Sequence, residues 1–367
     1  MTVYRRNPTA EEAKARDFAA VSMDLIRWFR ISERLAALGH DVDLAVPDAA
    51  SAWPLNPHRE AAALPRVALS QVRWHEYDVV KTLFHRGFEV LEEYGGAQHP
   101  FIISKLGSVV ASRDIDGVHF YGETRQRLYA TQQRIRKASR YVTVLSPSAR
   151  ALWTDCFGAS DNTLLVPGGV DAVVPAAGAD PYPERGKPRV LFAGNIYNGG
   201  SQPEANAVLV SKLNQLGRSL GRRGARLYLL GSGDVSRLDP EHVTYLGAVE
   251  YRRSWDYMRH ADVGVVVVAG TFSHNNESTK IYHYLRVGLP VVSEAGFPND
   301  NVVTESRLGF VVENGDIEGM AAKVIEAAQR AWDRESAIRY ILENHTWEKR
   351  VDTYAALLTR HFARRMP

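Results

Sequence analysis

The feature that most constrains this chain is an alternation of short apolar segments with amphipathic helical segments, which occurs in two runs. Residues 263–268 are apolar throughout, whereas residues 205–220 place their apolar side chains on one helical face. Strands that alternate with helices of this length pair in parallel through right-handed crossovers. Residues 172–188, between the runs, are rich in Ala, Pro and Gly, as in a linker. The sequence therefore predicts an α/β protein with two doubly wound, Rossmann-like domains.

Composition excludes several classes of protein. The 367 residues are 45% hydrophobic and 24% charged with a net charge of +3, which is typical of globular proteins and argues against a nucleic-acid partner. Cys156 is the only cysteine, so an intrachain disulfide or a thiolate zinc cluster is excluded. No segment reaches the roughly 18 apolar residues of a spanning helix, and the first residues lack the apolar core of a secretory signal. We therefore expect a cytoplasmic protein.

Glycine follows the predicted strands of the second run repeatedly. These residues are Gly194, Gly231, Gly233, Gly247 and Gly270. Because the carboxyl ends of parallel strands meet at one edge of a sheet, we expect the glycines to line a shared ligand cleft. The alternative is that they only form tight turns.

The segment His274–Val292 is predicted to be a polar loop, a short helix and a buried strand. Ser278, Thr279 and Lys280 come at the start of this helix, where free N–H groups and the helix dipole favour an anion. Gly288 is placed where a helix turns left-handed, and Pro290 prevents its continuation. A phosphate-bearing ligand is the first hypothesis; the alternative is an ordinary connection whose polar residues are caps.

The order of these motifs resembles that of the GT-B glycosyltransferases, in particular the retaining family-4-like group. Val166–Asp171 resembles the segment at their domain junction, Arg189–Asn195 resembles the first strand of their donor domain, and Lys280–Val292 resembles their donor helix with the strand that follows. The resemblance covers most of the chain. It implies a glycosyltransferase of the hexosyltransferase type.

The resemblance also implies a division into domains. Residues 1–175 would form an acceptor-binding domain, residues 176–345 a donor-binding domain, and residues 346–367 a helix that crosses back to the first domain. The first domain has little room for its first strand. Either Met1–Arg6 supplies an abbreviated strand, or the recorded start is late.

By the same resemblance, the co-substrate is a nucleoside diphosphate sugar of the UDP or GDP type. The resemblance implies no metal, and the Asp-x-Asp run at Asp114 and Asp116 falls in the first domain, away from the predicted donor site. Lys280 would offset the charge of the leaving diphosphate, the glycines would admit the nucleotide, and Tyr245 would lie at the edge that reads the base. The residues assigned to the donor are Gly194, Asn195, Gly231, Gly233, Tyr245, Glu277, Ser278, Thr279, Lys280 and His283.

The chain departs from the family pattern at three places. His283 stands where the family has the glutamate that binds the ribose, and Asn275 stands at the first glutamate of the pair, with Glu277 two residues later. The basic residues that often follow the first donor-domain strand are absent from residues 195–200. Phosphate binding would then depend more on Lys280 and backbone amides.

Candidate catalytic groups in the first domain are Asp116, His119 and His85. Asp116 and Gly117 resemble the base-bearing segment of an inverting GT-B glucuronosyltransferase, and His85 follows a predicted strand. In a retaining enzyme these groups would mainly position the acceptor, whereas in an inverting enzyme one would be the general base. The alternatives are a turn or cap for the aspartates and a surface position for His85.

The segment Arg125–Arg140 carries six basic residues and no acid. Such a helix is typical of contact with an anionic membrane surface or a lipid-linked diphosphate, and the alternative is a solvated charged face. We thus predict sugar transfer to a carbohydrate, lipid-linked or polymer acceptor. A GT-B nucleotide-sugar epimerase and a catalytically silent sugar-nucleotide-binding module stay open, while a nicotinamide dehydrogenase lacks its glycine motif.

Overall fold

The computed structural model describes residues 2–3, 23–48, 64–113, 122–184, 186–197, 203–270 and 275–362. The chain divides into two compact units. The first comprises Met1–Gly168 together with Trp347–Pro367, and the second comprises Gly169–Thr346.

The first unit is built on a parallel sheet of seven strands in the order β3-β2-β1-β4-β5-β6-β7. The strands are β1 (Thr2–Val3), β2 (Leu44–Val46), β3 (Arg66–Ala68), β4 (Val80–Leu83), β5 (Ile102–Lys105), β6 (Tyr141–Val144) and β7 (Thr163–Leu165). The two described residues of β1 pair in parallel with both β2 and β4. The edge strand β3 was not predicted, because three residues are too few for a hydrophobic pattern.

Four helices of the first unit follow its strands: α1 (Met23–Ala37), α2 (Phe84–Glu93), α3 (Gly122–Ala138) and α4 (Pro147–Phe157). The cap of α4 explains why the chain changes from strand to helix after β6. The Ser146 hydroxyl accepts a hydrogen bond from the Ala149 N–H at 3.1 Å, and Pro147 occupies the first turn, where its missing N–H costs nothing.

The second unit has a parallel sheet of six strands in the order β10-β9-β8-β11-β12-β13. Its strands are β8 (Arg189–Ala193), β9 (Arg226–Leu230), β10 (Val243–Gly247), β11 (Val263–Val266), β12 (Val291–Glu294) and β13 (Gly309–Val312). Its helices are α5 (Pro203–Arg222), α6 (Tyr251–Arg259), α7 (Thr279–Arg286), α8 (Asn301–Glu305), α9 (Ile317–Gln329) and α10 (Arg334–Asn344). The predicted class of two doubly wound α/β domains is therefore confirmed.

The last helix, α11 (Trp347–Phe362), packs in the first unit. Its buried side chains share one apolar cluster with Ile31 and Leu35 of α1 and with Ile103 of β5. The buried residues of α11 are Trp347, Val351, Tyr354, Leu357 and Leu358. The first unit is therefore completed only by the end of the chain.

The stretch that composition marks as a linker is bound to the second unit. Arg286 and Arg259 donate hydrogen bonds to the carbonyls of Ala172 and Pro175, and Asp256 accepts one from the Gly178 N–H at 2.8 Å. Charged side chains from distant parts of the unit bind this Pro- and Gly-rich segment. The composition of the segment itself does not show these partners. In the part of the chain that the structure describes, no helix has the length and apolar character needed to cross a bilayer.

Candidate functional site

The second sheet has a point at which its strand order reverses, between β8 and β11. Ligands of doubly wound sheets bind at such a point, beyond the carboxyl ends of the strands. Gly194 directly follows β8, and Lys280 of α7 reaches it from the connection between β11 and β12. The predicted anion site therefore falls at the reversal.

The start of α7 is held by a neighbouring asparagine. Asn299 is buried, and its amide accepts from the Ser278 N–H at 2.9 Å and donates to the Ser278 carbonyl at 3.0 Å. The Ser278 hydroxyl is buried and has no hydrogen-bond partner among the residues described. The helix ends at Arg286, and Gly288 just beyond it has φ +70, so the predicted left-handed stop is confirmed.

Lys280 crosses directly over Gly194. A Cβ atom on Gly194 would lie 2.2 Å from Cε and 2.8 Å from Nζ of Lys280, so a larger residue would displace the end of the lysine side chain. The ammonium lies 4.9 Å from the centroid of the Phe192 ring. Burial lowers the pKa of Lys280 to about 8, because the charged form loses hydration. No residue in the described ranges neutralises this ammonium with a carboxylate.

Tyr284, one helical turn after Lys280, attaches α7 to the end of β8. Its hydroxyl accepts from the Ala193 N–H at 2.7 Å and donates to the Leu191 carbonyl at 3.2 Å. The ring passes over Gly264, where a Cβ atom would lie 2.4 Å from it. In the sequence, Tyr284 stands out only as part of the segment Lys280–Val292 that resembles the donor helix of the family. The signal it missed is Gly264, a glycine inside an apolar strand, which marks a close approach.

Gly231 and Gly233 make room for a neighbouring loop. Their Cβ atoms would lie 2.1 Å from the Gly194 carbonyl oxygen and 1.7 Å from that of Ile196. The N–H groups of Gly194 and Ile196 donate to the carbonyls of Leu230 and Ser232, each at 2.7 Å. The loops after β8 and β9 thus continue the pairing of their strands. Both glycines are needed for this loop packing, whether or not a nucleotide also approaches them.

Asn206 on α5 holds the same two loops and was not predicted. It is buried, and its amide nitrogen donates to the carbonyls of Tyr197 at 2.7 Å and Asp234 at 3.0 Å. The only signal in the sequence is an asparagine on the apolar face of a helix.

Two further residues predicted to bind the donor contact the loop that follows β9: Asn195, which comes after β8, and Tyr245, which lies in β10. Asn195 Oδ1 accepts from the Ser232 hydroxyl at 3.0 Å. Tyr245 is 41% exposed, and its hydroxyl donates to the Gly231 carbonyl at 2.9 Å. The exposed tyrosine ring therefore lies beside the loop that follows β9.

His283 and Glu277 make contacts of their own within the second unit. The buried His283 ring lies with Nδ1 2.7 Å from the Thr279 carbonyl and Nε2 3.0 Å from the Tyr251 hydroxyl. Because a carbonyl only accepts, Nδ1 carries a proton. The ring also stacks on Trp255 at a centroid distance of 5.2 Å. Glu277 accepts a hydrogen bond from the Tyr282 hydroxyl at 2.8 Å. Their assignment to the nucleotide-sugar donor stays a prediction.

In the first unit, His85 is placed at the start of α2, next to Phe84 with its unusual φ of 60°. Its Nε2 lies 3.1 Å from Gln132 Oε1, which also accepts from the Val110 N–H. The amide oxygen cannot donate, so Nε2 carries the proton. Burial lowers the pKa of His85 to about 4, so the ring is neutral at neutral pH. Asp116 and His119 lie outside the described residues.

The basic segment on α3 is partly neutralised by α2. Arg127 pairs with Glu89 at 2.7 Å and Arg134 pairs with Glu92 at 2.8 Å. Arg125 is buried and donates to backbone carbonyls. The acids belong to another helix, so the local sequence could not show them. Arg136, Lys137 and Arg140 are exposed, and the predicted membrane contact stays a prediction that would depend on these three.

Metal ligands are a separate question. Across the described ranges, no three His, Cys, Asp or Glu side chains are grouped so that they could hold a metal ion.

Solved structures of the same fold identify the class of protein. Sucrose-phosphate synthase from Thermosynechococcus elongatus matches 99% of this chain and 96% of its own at 17% identity and a TM-score of 0.63. HepE from Anabaena, in complex with UDP and glucose, matches 94% of this chain and 97% of its own at 12% identity and a TM-score of 0.65. The chain has the GT-B fold.

The family follows from the sequence of the second unit. Residues 187–330 match the family model described as glycosyl transferases group 1. No curated protein matches the chain in sequence. Together with the GT-B fold, the family match identifies a glycosyltransferase whose second unit carries the group 1 domain and which uses a nucleotide-sugar donor. The resemblance seen in the sequence is confirmed in family, fold and activity class.

Proposed function

We propose that the chain transfers a sugar from a UDP- or GDP-type donor to a carbohydrate, lipid-linked or polymer acceptor, with retention of configuration and without a divalent metal. The observation that carries this proposal is Lys280, a partly dehydrated ammonium that crosses Gly194 at the strand reversal. It has no acidic partner among the residues described.

In this proposal, the diphosphate leaving group supplies the negative charge that would pair with the Lys280 ammonium. As the bond to the sugar breaks, charge grows on the phosphate oxygens, and groups already aimed at them stabilise the transition state most. The N–H groups of Thr279 and Lys280 at the start of α7 add the positive end of the helix dipole. Such a site needs no metal to stabilise the leaving group.

The other residues surround this centre in the proposal. Gly194, Asn195, Gly231 and Gly233 bring backbone to the nucleotide, and the Ser278 hydroxyl turns to a phosphate oxygen. Tyr245 offers an exposed ring to the base. Glu277 supplies a carboxylate for hydroxyl groups, and His283 holds the helix start through Thr279.

For the acceptor, we propose that His85, Asp116 and His119 position the attacking hydroxyl while the donor phosphate takes its proton. His85 suits a positioning role better than a basic one, because its low pKa makes it a weak base at neutral pH. With Nε2 engaged by Gln132, its Nδ1 is the atom that accepts from the acceptor hydroxyl.

Lys280 is the residue on which to test the proposal. Lys280→Met removes the charge at similar length, whereas Lys280→Arg keeps it. We expect UDP or GDP to raise the melting temperature of the wild type, and Lys280→Met to lose most of this rise together with donor turnover. Lys280→Arg should retain part of both.

Three outcomes separate the alternatives. Unchanged nucleotide affinity in Lys280→Met would remove the lysine from the site. Nucleotide binding without transfer to any acceptor, and without donor hydrolysis, would indicate a silent binding module. Interconversion of free nucleotide sugars would indicate an epimerase.

A further inference from the structure

The first unit contains a cavity of about 640 Å³ at the amino edge of its sheet. Asp41 and Val42 precede β2, and Asp78 and Val79 precede β4, so the lining comes from the entry of the strands. His85 follows the carboxyl end of β4 and does not line it. The cavity is therefore distinct from the predicted acceptor residues.

A buried amine faces this cavity. Lys81, on β4, is only 4% exposed and lines the cavity together with Tyr354, whose ring centroid lies 5.4 Å from Nζ. In the described part of the chain, no oxygen accepts a hydrogen bond from this amine. Burial, and then the charge of Arg27, lower the pKa of Lys81 to about 7. An oxygen placed in the cavity would give this amine an acceptor, and the hydrogen bond would be stabilising.

The other polar side chains that line the cavity are His40, Tyr77 and four carboxylates, and the carboxylates only accept hydrogen bonds when ionised. The carboxylates belong to Asp41, Asp43, Glu76 and Asp78. Asp43 already accepts from the Tyr77 hydroxyl at 2.8 Å, and Glu76 pairs with Arg73 at 3.0 Å. Apolar side chains that include Ile103 and Leu358 line the rest of the cavity. The cavity thus offers both hydrogen-bond donors and hydrogen-bond acceptors within partly apolar walls.

This arrangement selects the charge of a ligand. A cationic ligand would suit the carboxylates but face Lys81, and an anionic ligand would suit Lys81 but face the carboxylates. A hydroxyl group both donates and accepts hydrogen bonds. A neutral polyol can therefore bind both the Lys81 amine and the carboxylates. The volume lies within the range of small-molecule sites, about 300–1,000 Å³. We propose that this cavity binds a neutral saccharide, at a site separate from the donor.

Saccharides that differ only in charge test the proposal on the full-length protein. The isoleucine methyl groups are labelled for NMR so that Ile103 reports on the cavity, and glucose, galactose, mannose and N-acetylglucosamine are titrated. Glucosamine and glucuronic acid are the cationic and anionic probes. We expect at least one neutral sugar to shift the Ile103 methyl signal saturably, and its charged analogues to bind about tenfold more weakly.

Variants show whether the cavity itself is the site. Lys81→Met and Asp41→Ala should each abolish the saturable shift, while Lys349→Met, an exposed lysine of α11 that does not line the cavity, should leave it unchanged. Asp41 is exposed, so its substitution keeps the fold even if Lys81→Met does not. Silence of Ile103 with all four neutral sugars, equal binding of the charged analogues, or an unaltered shift in Asp41→Ala would overturn the proposal. None of these results bears on nucleotide binding at Lys280.

Discussion

At the scale of single residues, the proposed donor site is shaped by the absence of a Cβ atom at Gly194. Gly194 leaves the space through which Lys280 passes, and the crossing removes water from the ammonium. The result is a cation whose pKa of about 8 lies far below its ordinary 10.5. Bound phosphate would restore the lost stabilisation, because an opposite charge favours the protonated form.

The pKa of Lys280 predicts a pH dependence of binding. Only the protonated lysine attracts a diphosphate, so the affinity for UDP or GDP should be constant below about pH 8 and fall above it. The fall is at most about tenfold per pH unit. Calorimetric titration across this range measures it. Lys280→Arg stays charged throughout and should give a flat profile; a flat profile in the wild type would contradict the prediction.

At the scale of elements, the position of α7 depends on its contacts with neighbouring elements. Tyr284 bonds to Ala193 and Leu191 at the end of β8, and Asn206 of α5 bonds to the two loops beside it. These contacts join a helix to a strand, and a helix to two loops. They set the position of Lys280 relative to Gly194 without touching a ligand, so we call Tyr284 and Asn206 positioning residues.

Tyr284→Phe tests the attachment of α7. The substitution leaves the Ala193 N–H without its acceptor, which costs about 1–3 kcal/mol in the free energy of unfolding. We expect a lower melting temperature and weaker nucleotide binding. Tyr228→Phe is the matched control, because Tyr228 is a buried tyrosine of the same unit whose hydroxyl has no partner among the residues described. Equal effects of the two substitutions would argue against the attachment.

Asn206→Ala tests whether the loops after β8 and β9 must be held together for the nucleotide to bind. Both bridging hydrogen bonds are lost, and we expect nucleotide affinity to fall by about tenfold or more as the loops loosen. Asn214→Ala is the control on the same helix, since Asn214 holds residues 237 and 239, which precede β10, in the same manner. If both variants lower the melting temperature but only Asn206→Ala weakens binding, the role is positional. A similar loss of binding in both would leave Asn206 with a structural role only.

At the scale of the whole molecule, the first unit is discontinuous in sequence, whereas the second is one continuous segment. The five buried side chains of α11 contribute roughly 10 kcal/mol by burial, which is comparable with the whole stability of a domain. The first unit is therefore stable only when α11 packs against α1 and β5.

Truncation after Thr346 tests this dependence. We expect the first unit to unfold, while the second keeps a cooperative thermal transition that UDP or GDP shifts upward. Differential scanning calorimetry and limited proteolysis would show which unit is lost. A chain that ends at Phe362 keeps α11 and should behave as the wild type. Retention of both transitions after Thr346 would show that α11 is dispensable.

Prediction from sequence worked where the signal was local or periodic. The alternation of strands and helices, the stop at Gly288 and the order of motifs gave the fold class and the family. It failed where partners are distant in sequence: the acids opposite Arg127 and Arg134 lie on α2, and the two loops that Asn206 holds lie on other elements.

The amino-acid sequence by itself determined two parallel sheets and the helix start at Ser278–Lys280, because hydrophobic periodicity and turn chemistry act over a few residues. Only the tertiary structure decided that Lys280 crosses Gly194 at the strand reversal, that Tyr284 fastens α7 to β8, and that Lys81 faces a cavity. The reason is physical. Close approach and burial depend on which elements become neighbours in space, and a linear sequence does not contain those distances.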